Sequence, residues 1–155
     1  MLAVSNSSPL IALAAIEQLE LLPALFESVL IPAAVAVEIA PSISTRPGWL
    51  QLRPLTRPRP ADVVRRTLGP GETEALALAL EIRPDRLILD DLPARRLAEG
   101  LGLPIIGTLG VILAAKRRGL VPSIRPLLDG LVSRSFFISA ELFQELLESA
   151  GEAEG

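Results

Sequence analysis

Residues 86–108 read RLILDDLPARRLAEGLGLPIIGT. Arg86–Leu89 is a short apolar run of strand length. Two aspartates follow, and Asp91 stands where a carboxylate can cap a helix running through Leu97 to Leu101. Pro104-Ile105-Ile106 then reads as another short strand. Thr108 is placed to cap the next helix, which extends to Arg118 and closes at Gly119. Strand, helix, strand, helix is the order of parallel strands joined by helical crossovers. The strands are continuous apolar runs, as expected of a sheet covered on both faces.

The same alternation extends outward in both directions. Leu2-Ala3-Val4 predicts a first strand, and Ser8 followed by Pro9 predicts a helix start through Leu10, Ile11, Leu13 and Ala14. A helix over Leu19 to Phe26, a strand over Val29–Ile31 and a helix over Ala33 to Ala40, opened by Pro32 and stopped by Pro41, follow. Residues 41–60 are rich in Pro, Ser, Thr and Arg and read as a loop, with an alternating strand inside Trp49 to Leu55. Helical spacing returns from Gly71 to Ile82 and ends before Pro84. Two amphipathic helices close the chain, near Ser123 to Val132 and Ser139 to Ala150, and the tail at 151–155 is expected to fray. There is no internal repeat and no composition break, so one α/β domain is expected over residues 1–150.

Composition removes whole classes of chemistry. The 155 residues include no His and no Cys. A Ser-His-Asp triad, a thiol nucleophile and zinc held by His and Cys are therefore excluded. The net charge of -3 does not advertise a nucleic-acid surface, although Arg65-Arg66, Arg95-Arg96 and Lys116-Arg117-Arg118 form local basic clusters. Such clusters are more often solvated faces than RNA contacts. The segment GPGETE at 69–74 puts acids where a phosphate-binding loop would need Lys, Ser or Thr. No apolar run approaches the roughly 20 residues of a membrane span, and no signal peptide is read at the start. A cytoplasmic protein is expected.

What remains is a set of oxygen donors in informative places. Asn6 follows the first strand, and Asp90 and Asp91 follow the strand at 86–89. Glu38 lies near the end of its helix, and Glu72 and Glu74 lie in the first turn of theirs. Ligands of parallel sheets bind beyond the carboxyl ends of strands. If these loops converge, an oxygen-rich pocket suited to Mg²⁺ or Mn²⁺ results. Each residue also has an ordinary structural role open to it: Asp91 as a helix cap, Glu72 and Glu74 at a helix dipole, Asn6 in a turn, Glu38 on a solvated face.

The stretches LAVSNSSPLIAL, VLIPAAVAVEI, GPGETEALALAL and RLILDDLPARRLAEGLGLPIIGTLGVILAAKRRGLVP occur in that order. Together they resemble a PIN-like family linked to toxin–antitoxin systems. Its hallmarks are an S-N/D-x-S-P-L-I start, a central G-E-x-E-A, a D-D after a strand, and G-T-L-G-V followed by G-L-I/V-P. The resemblance spans roughly residues 2–150. It implies a three-layer α/β/α fold with a central parallel sheet. It implies a Mg²⁺- or Mn²⁺-dependent endoribonuclease, the toxin of a pair, acting on single-stranded RNA to leave a 5′-phosphate and a 3′-hydroxyl. A homodimer and a cognate antitoxin are implied as partners. Carried over residue by residue, the metal-holding and catalytic positions match Asn6, Glu38, Glu72 (with Glu74 as alternative) and Asp91, with Asp90 beside it. Ser8 matches a small hydroxyl residue that steadies the first loop. Asn6 departs from the family's usual Asp, and an RNA- or protein-binding module with an impaired site is the alternative reading.

Overall fold

The computed structural model describes residues 1–57 and 68–153. The Arg65-Arg66 pair and the end of the loop read at 41–60 lie outside the described residues. The elements in chain order are β1 (Leu2–Ser5), α1 (Ser7–Ala15), α2 (Leu21–Leu25), β2 (Ser28–Ile31), α3 (Ala33–Ile39), β3 (Leu50–Leu52) and α4 (Pro70–Ile82). They continue with β4 (Arg86–Ile88), α5 (Leu92–Gly100), β5 (Ile105–Ile106), α6 (Thr108–Arg117), α7 (Arg125–Ser133) and α8 (Ala140–Ser149).

The five strands form one parallel sheet in the order β3-β2-β1-β4-β5. Alternate strand residues face opposite sides. Ala3, Val29, Ile31 and Ile88 enter one core with Leu10, Leu13, Val35, Ile112 and Leu128 from the helices. Val4, Leu30, Leu87 and Leu89 enter a second core with Leu76, Leu78, Ala94 and Ala98 of α4 and α5. The result is three layers, α/β/α, as the continuous apolar strands predict.

The chain winds outward from β1 to β2 to β3, then returns across the sheet to β4 on the other side of β1. Right-handed crossovers put helices before and after such a reversal on opposite faces. The reversal lies between β1 and β4, and the carboxyl ends of such strands are where parallel sheets bind ligands.

Several helix starts differ from the spacing-based reading. Asn6, not Ser8, is the N-cap of α1, and Ser8 and Pro9 lie in the first turn. Proline is tolerated there because the first helical N–H groups have no intrahelical partner. Gly107, not Thr108, caps α6. Asp91 does cap α5, accepting a hydrogen bond from the Ala94 N–H at 3.1 Å. The apolar stripe of α8 is turned largely inward, with Leu146 and Leu147 buried and Phe143 against the core. Beyond α8, Glu152 is tied down, because its carboxylate accepts from Ser123 Oγ at 2.5 Å and from the Ile124 N–H at 2.8 Å. Among the described residues, no helix is long and apolar enough to cross a membrane.

Candidate functional site

β1 delivers Asn6 to the reversal point. Its backbone N–H donates to the Ile88 carbonyl of β4 at 3.0 Å, so pairing continues one residue past the strand. Its side chain makes no capping bond and is only 1 % exposed. Ser7, the first residue of α1, has its Oγ 3.3 Å from Asn6 Oδ1 and also hydrogen-bonds Glu38 Oε1. A hydroxyl has one proton to give. The carboxylate is the stronger acceptor, so the hydroxyl turns toward Glu38 and Asn6 Oδ1 stays without a strong donor.

Glu38 reaches this point from the far end of α3. Its other oxygen accepts from the Gly71 N–H of α4 at 3.3 Å. A Cβ at Gly71 would collide with the Glu38 carboxylate, so only glycine admits that contact. Glu74 of α4 returns the arrangement: its Oε1 accepts from the Ala34 N–H of α3 at 3.0 Å. The two helices exchange carboxylates at their N-termini, where the peptide dipoles favour negative charge.

On β4's side, Asp90 is held by Thr108. Oδ1 accepts from the Thr108 N–H at 2.7 Å and Oδ2 from its hydroxyl at 2.6 Å. Gly107 leaves room for this, since a Cβ there would lie 2.8 Å from Asp90 Oδ1. Arg95 approaches the same point and donates to the Leu89 carbonyl at 3.4 Å.

Of the residues singled out from sequence, Asn6 and Glu38 are brought together through Ser7, and Asp90 stands at the end of the strand beside β1. Glu72 is half-buried and folds back over Gly69, where a Cβ would lie 2.8 Å from its Oε2. Glu74 and Asp91 serve helix N-termini. No three His, Cys, Asp or Glu side chains among the described residues gather closely enough to hold a metal ion. Ser7 and Thr108, which hold Glu38 and Asp90, are not distinguished by spacing. In SNSS either serine can start a helix, and Thr108 reads as a cap. Ser8, matched to the loop-steadying hydroxyl, is exposed, and Ser7 makes the contacts instead.

The basic clusters divide. Arg96, Arg117 and Arg118 are exposed, Arg95 lines a mostly apolar cleft with Asp90, Ile106 and Leu146, and Lys116 donates to the Pro122 carbonyl at 2.7 Å.

The donors at the reversal point are oxygens only: one amide and two carboxylates. That chemistry fits a hard divalent cation rather than a soft one.

Residues 2–152 match the model of the family DUF3368, a PIN domain. Among solved structures, the chain is similar to a PilT N-terminus domain protein from the hyperthermophilic archaeon Sulfolobus solfataricus P2. The two are 20% identical with a TM-score of 0.57, over 74% of this chain and 93% of that one. At that identity the likeness concerns the fold. No curated protein matches the chain.

Proposed function

The chain belongs to the DUF3368 family of PIN domains, and on that premise we propose that it is a divalent-metal-dependent endoribonuclease acting as the toxin of a toxin–antitoxin pair in the cytoplasm. PIN domains are generally nucleases. The observation that carries the reading is the meeting of Asn6 and Glu38 on the Ser7 hydroxyl, one strand away from Asp90, at the sheet's reversal point. Asn6 Oδ1, Glu38 and Asp90 are the residues that would hold the ion. When bound, such an ion supplies positive charge against a phosphodiester and acidifies a water.

The chain's own groups do the rest. Glu38 and Asp90 carry the negative charge of the pocket. Ser7 and Thr108 fix those carboxylates and keep them aimed. Hydrolysis adds water across the P–O3′ bond, leaving a 5′-phosphate and a 3′-hydroxyl. Single-stranded RNA is the substrate class, and a homodimer and an antitoxin complete the reading.

A second reading, an RNA- or protein-binding module that does not cut, is favoured by the missing charge at Asn6 and by the lack of a three-acid cluster among the described residues. Manganese calorimetry separates the two. The nuclease reading expects a saturable heat that Glu38→Gln and Asp90→Asn both reduce, with RNA cleavage falling by about 100-fold or more in each. Unchanged cleavage in both variants would assign the activity to a contaminant. Absence of manganese binding at millimolar concentration would leave the binding-module reading.

A further inference from the structure

Gly71 is the second residue of α4, and its backbone is helical rather than left-handed. No conformational need asks for glycine there, and alanine is the better helix former. The need is steric and comes from Glu38. That carboxylate is held at both oxygens, Oε1 by the Ser7 hydroxyl and Oε2 by the Gly71 N–H at 3.3 Å. A Cβ at Gly71 would stand 2.9 Å from Glu38 Cδ and 3.1 Å from Oε2, inside the space of the carboxylate. It would meet the tip of a flexible side chain, not a backbone, so the carboxylate gives way and the helices do not. α3 and α4 keep a separate tie, from the Ala34 N–H to Glu74 Oε1 at 3.0 Å. The same device recurs on β4's side of the reversal, where Gly107 caps α6 and leaves room for Asp90 to accept from the Thr108 N–H.

We propose that Gly71 is a positioning residue for the metal site. By having no side chain it admits the Glu38 carboxylate to the start of α4 and fixes it against Ser7, next to Asn6. The inference rests on the metal-holding reading of Asn6, Glu38 and Asp90, and extends it to a residue that does not itself touch the ion. A carboxylate tied at both oxygens keeps one orientation, whereas one tied at a single oxygen turns about its last bond. Ligand groups ordered in advance bind more tightly, because less freedom is lost when the ion arrives. Hydrogen-bond partners of ligating carboxylates matter to metal affinity for this reason.

The test is manganese calorimetry, with thermal melts in EDTA as the measure of folding. Gly71→Ala is expected to melt close to wild type and to bind manganese about tenfold more weakly. Adding Glu38→Asp to Gly71→Ala shortens the acid by one methylene, draws it clear of the new methyl, and should regain part of the lost affinity. Weak binding that Glu38→Asp does not improve would place the fault elsewhere in α4 and overturn the proposal. Wild-type affinity in Gly71→Ala, while Glu38→Gln and Asp90→Asn lose theirs, refutes the positioning role and leaves the metal reading standing. If wild type binds no manganese, both fall. Should Gly71→Ala fail to fold, Glu38→Ala is added to it. Recovery of a cooperative melt would show that the carboxylate is what the methyl meets, in support of the proposal. A double variant that stays unfolded would put the need for glycine in backbone packing and overturn it.

Discussion

Asn6 stands at the one buried place where the acidic pocket lacks a charge. Its backbone is held by β4 and its side chain is buried beside Ser7, so Asn6→Asp changes charge with almost no change of shape. Affinity for hard cations rises with the number of charged ligands. We expect Asn6→Asp to tighten manganese binding about tenfold in calorimetry and to raise RNA cleavage. Equal affinities in the two proteins would mean that this oxygen does not face the ion. Part of the residue-scale picture is readable from sequence. Asn6, Glu38 and Asp90 stand out because their positions follow strands or end helices. The donors that hold them are hidden, because tertiary docking decides which of two adjacent serines faces Glu38. The roles of Glu74 and Asp91 are similarly set by whichever helix N-terminus lies within reach.

Between elements, Glu152 forms an electrostatic tie. Burial would push its pKa up, but hydrogen bonds from Ser123 and the Ile124 and Arg125 N–H groups, together with Lys116 at 3.3 Å, outweigh it and hold the carboxyl at about 2, against 4.5 ordinarily. A depressed carboxyl pKa adds stability that is complete above pH 4.5 and is lost as pH falls toward 2. Glu152→Gln should therefore lower thermal stability at neutral pH by on the order of 1 kcal/mol, discounted for its solvent-facing side. The difference from wild type should shrink below pH 4.5 and vanish near 2. A gap that persists at low pH would point to packing rather than charge. Glu81, on the end of α4, binds the Thr56 and Arg57 N–H groups, and its pKa is also lowered. Neither anchor is visible in the sequence, since each joins residues more than 20 positions apart. The helices themselves are legible, because proline and glycine punctuate them at Pro32, Pro84 and Gly119.

At the scale of the whole molecule, alternating strands and helices are enough to read a parallel sheet with helices on both faces. Strand order is not, because periodicity says nothing about which neighbour a strand takes. The return from β3 to β4 places the first strand in the middle of the sheet, paired with β2 on one side and β4 on the other. This gives the chain a timetable. β1 leaves the ribosome before the other four strands, yet one of its edges waits until Arg86–Ile88 has been made. Until then the growing chain carries an open strand edge beside an uncovered apolar face, the condition that invites mispairing and aggregation. Contacts so distant in sequence also slow folding. A nascent chain halted before Arg86 should exert no folding tension on a translational arrest peptide, and one extended past α6 should pull. Tension from residues 1–57 alone would show that the outer half folds unaided. The placement of β1 thus makes the birth of this protein a late, all-at-once event, and leaves the unfinished chain dependent on whatever shields it in the meantime.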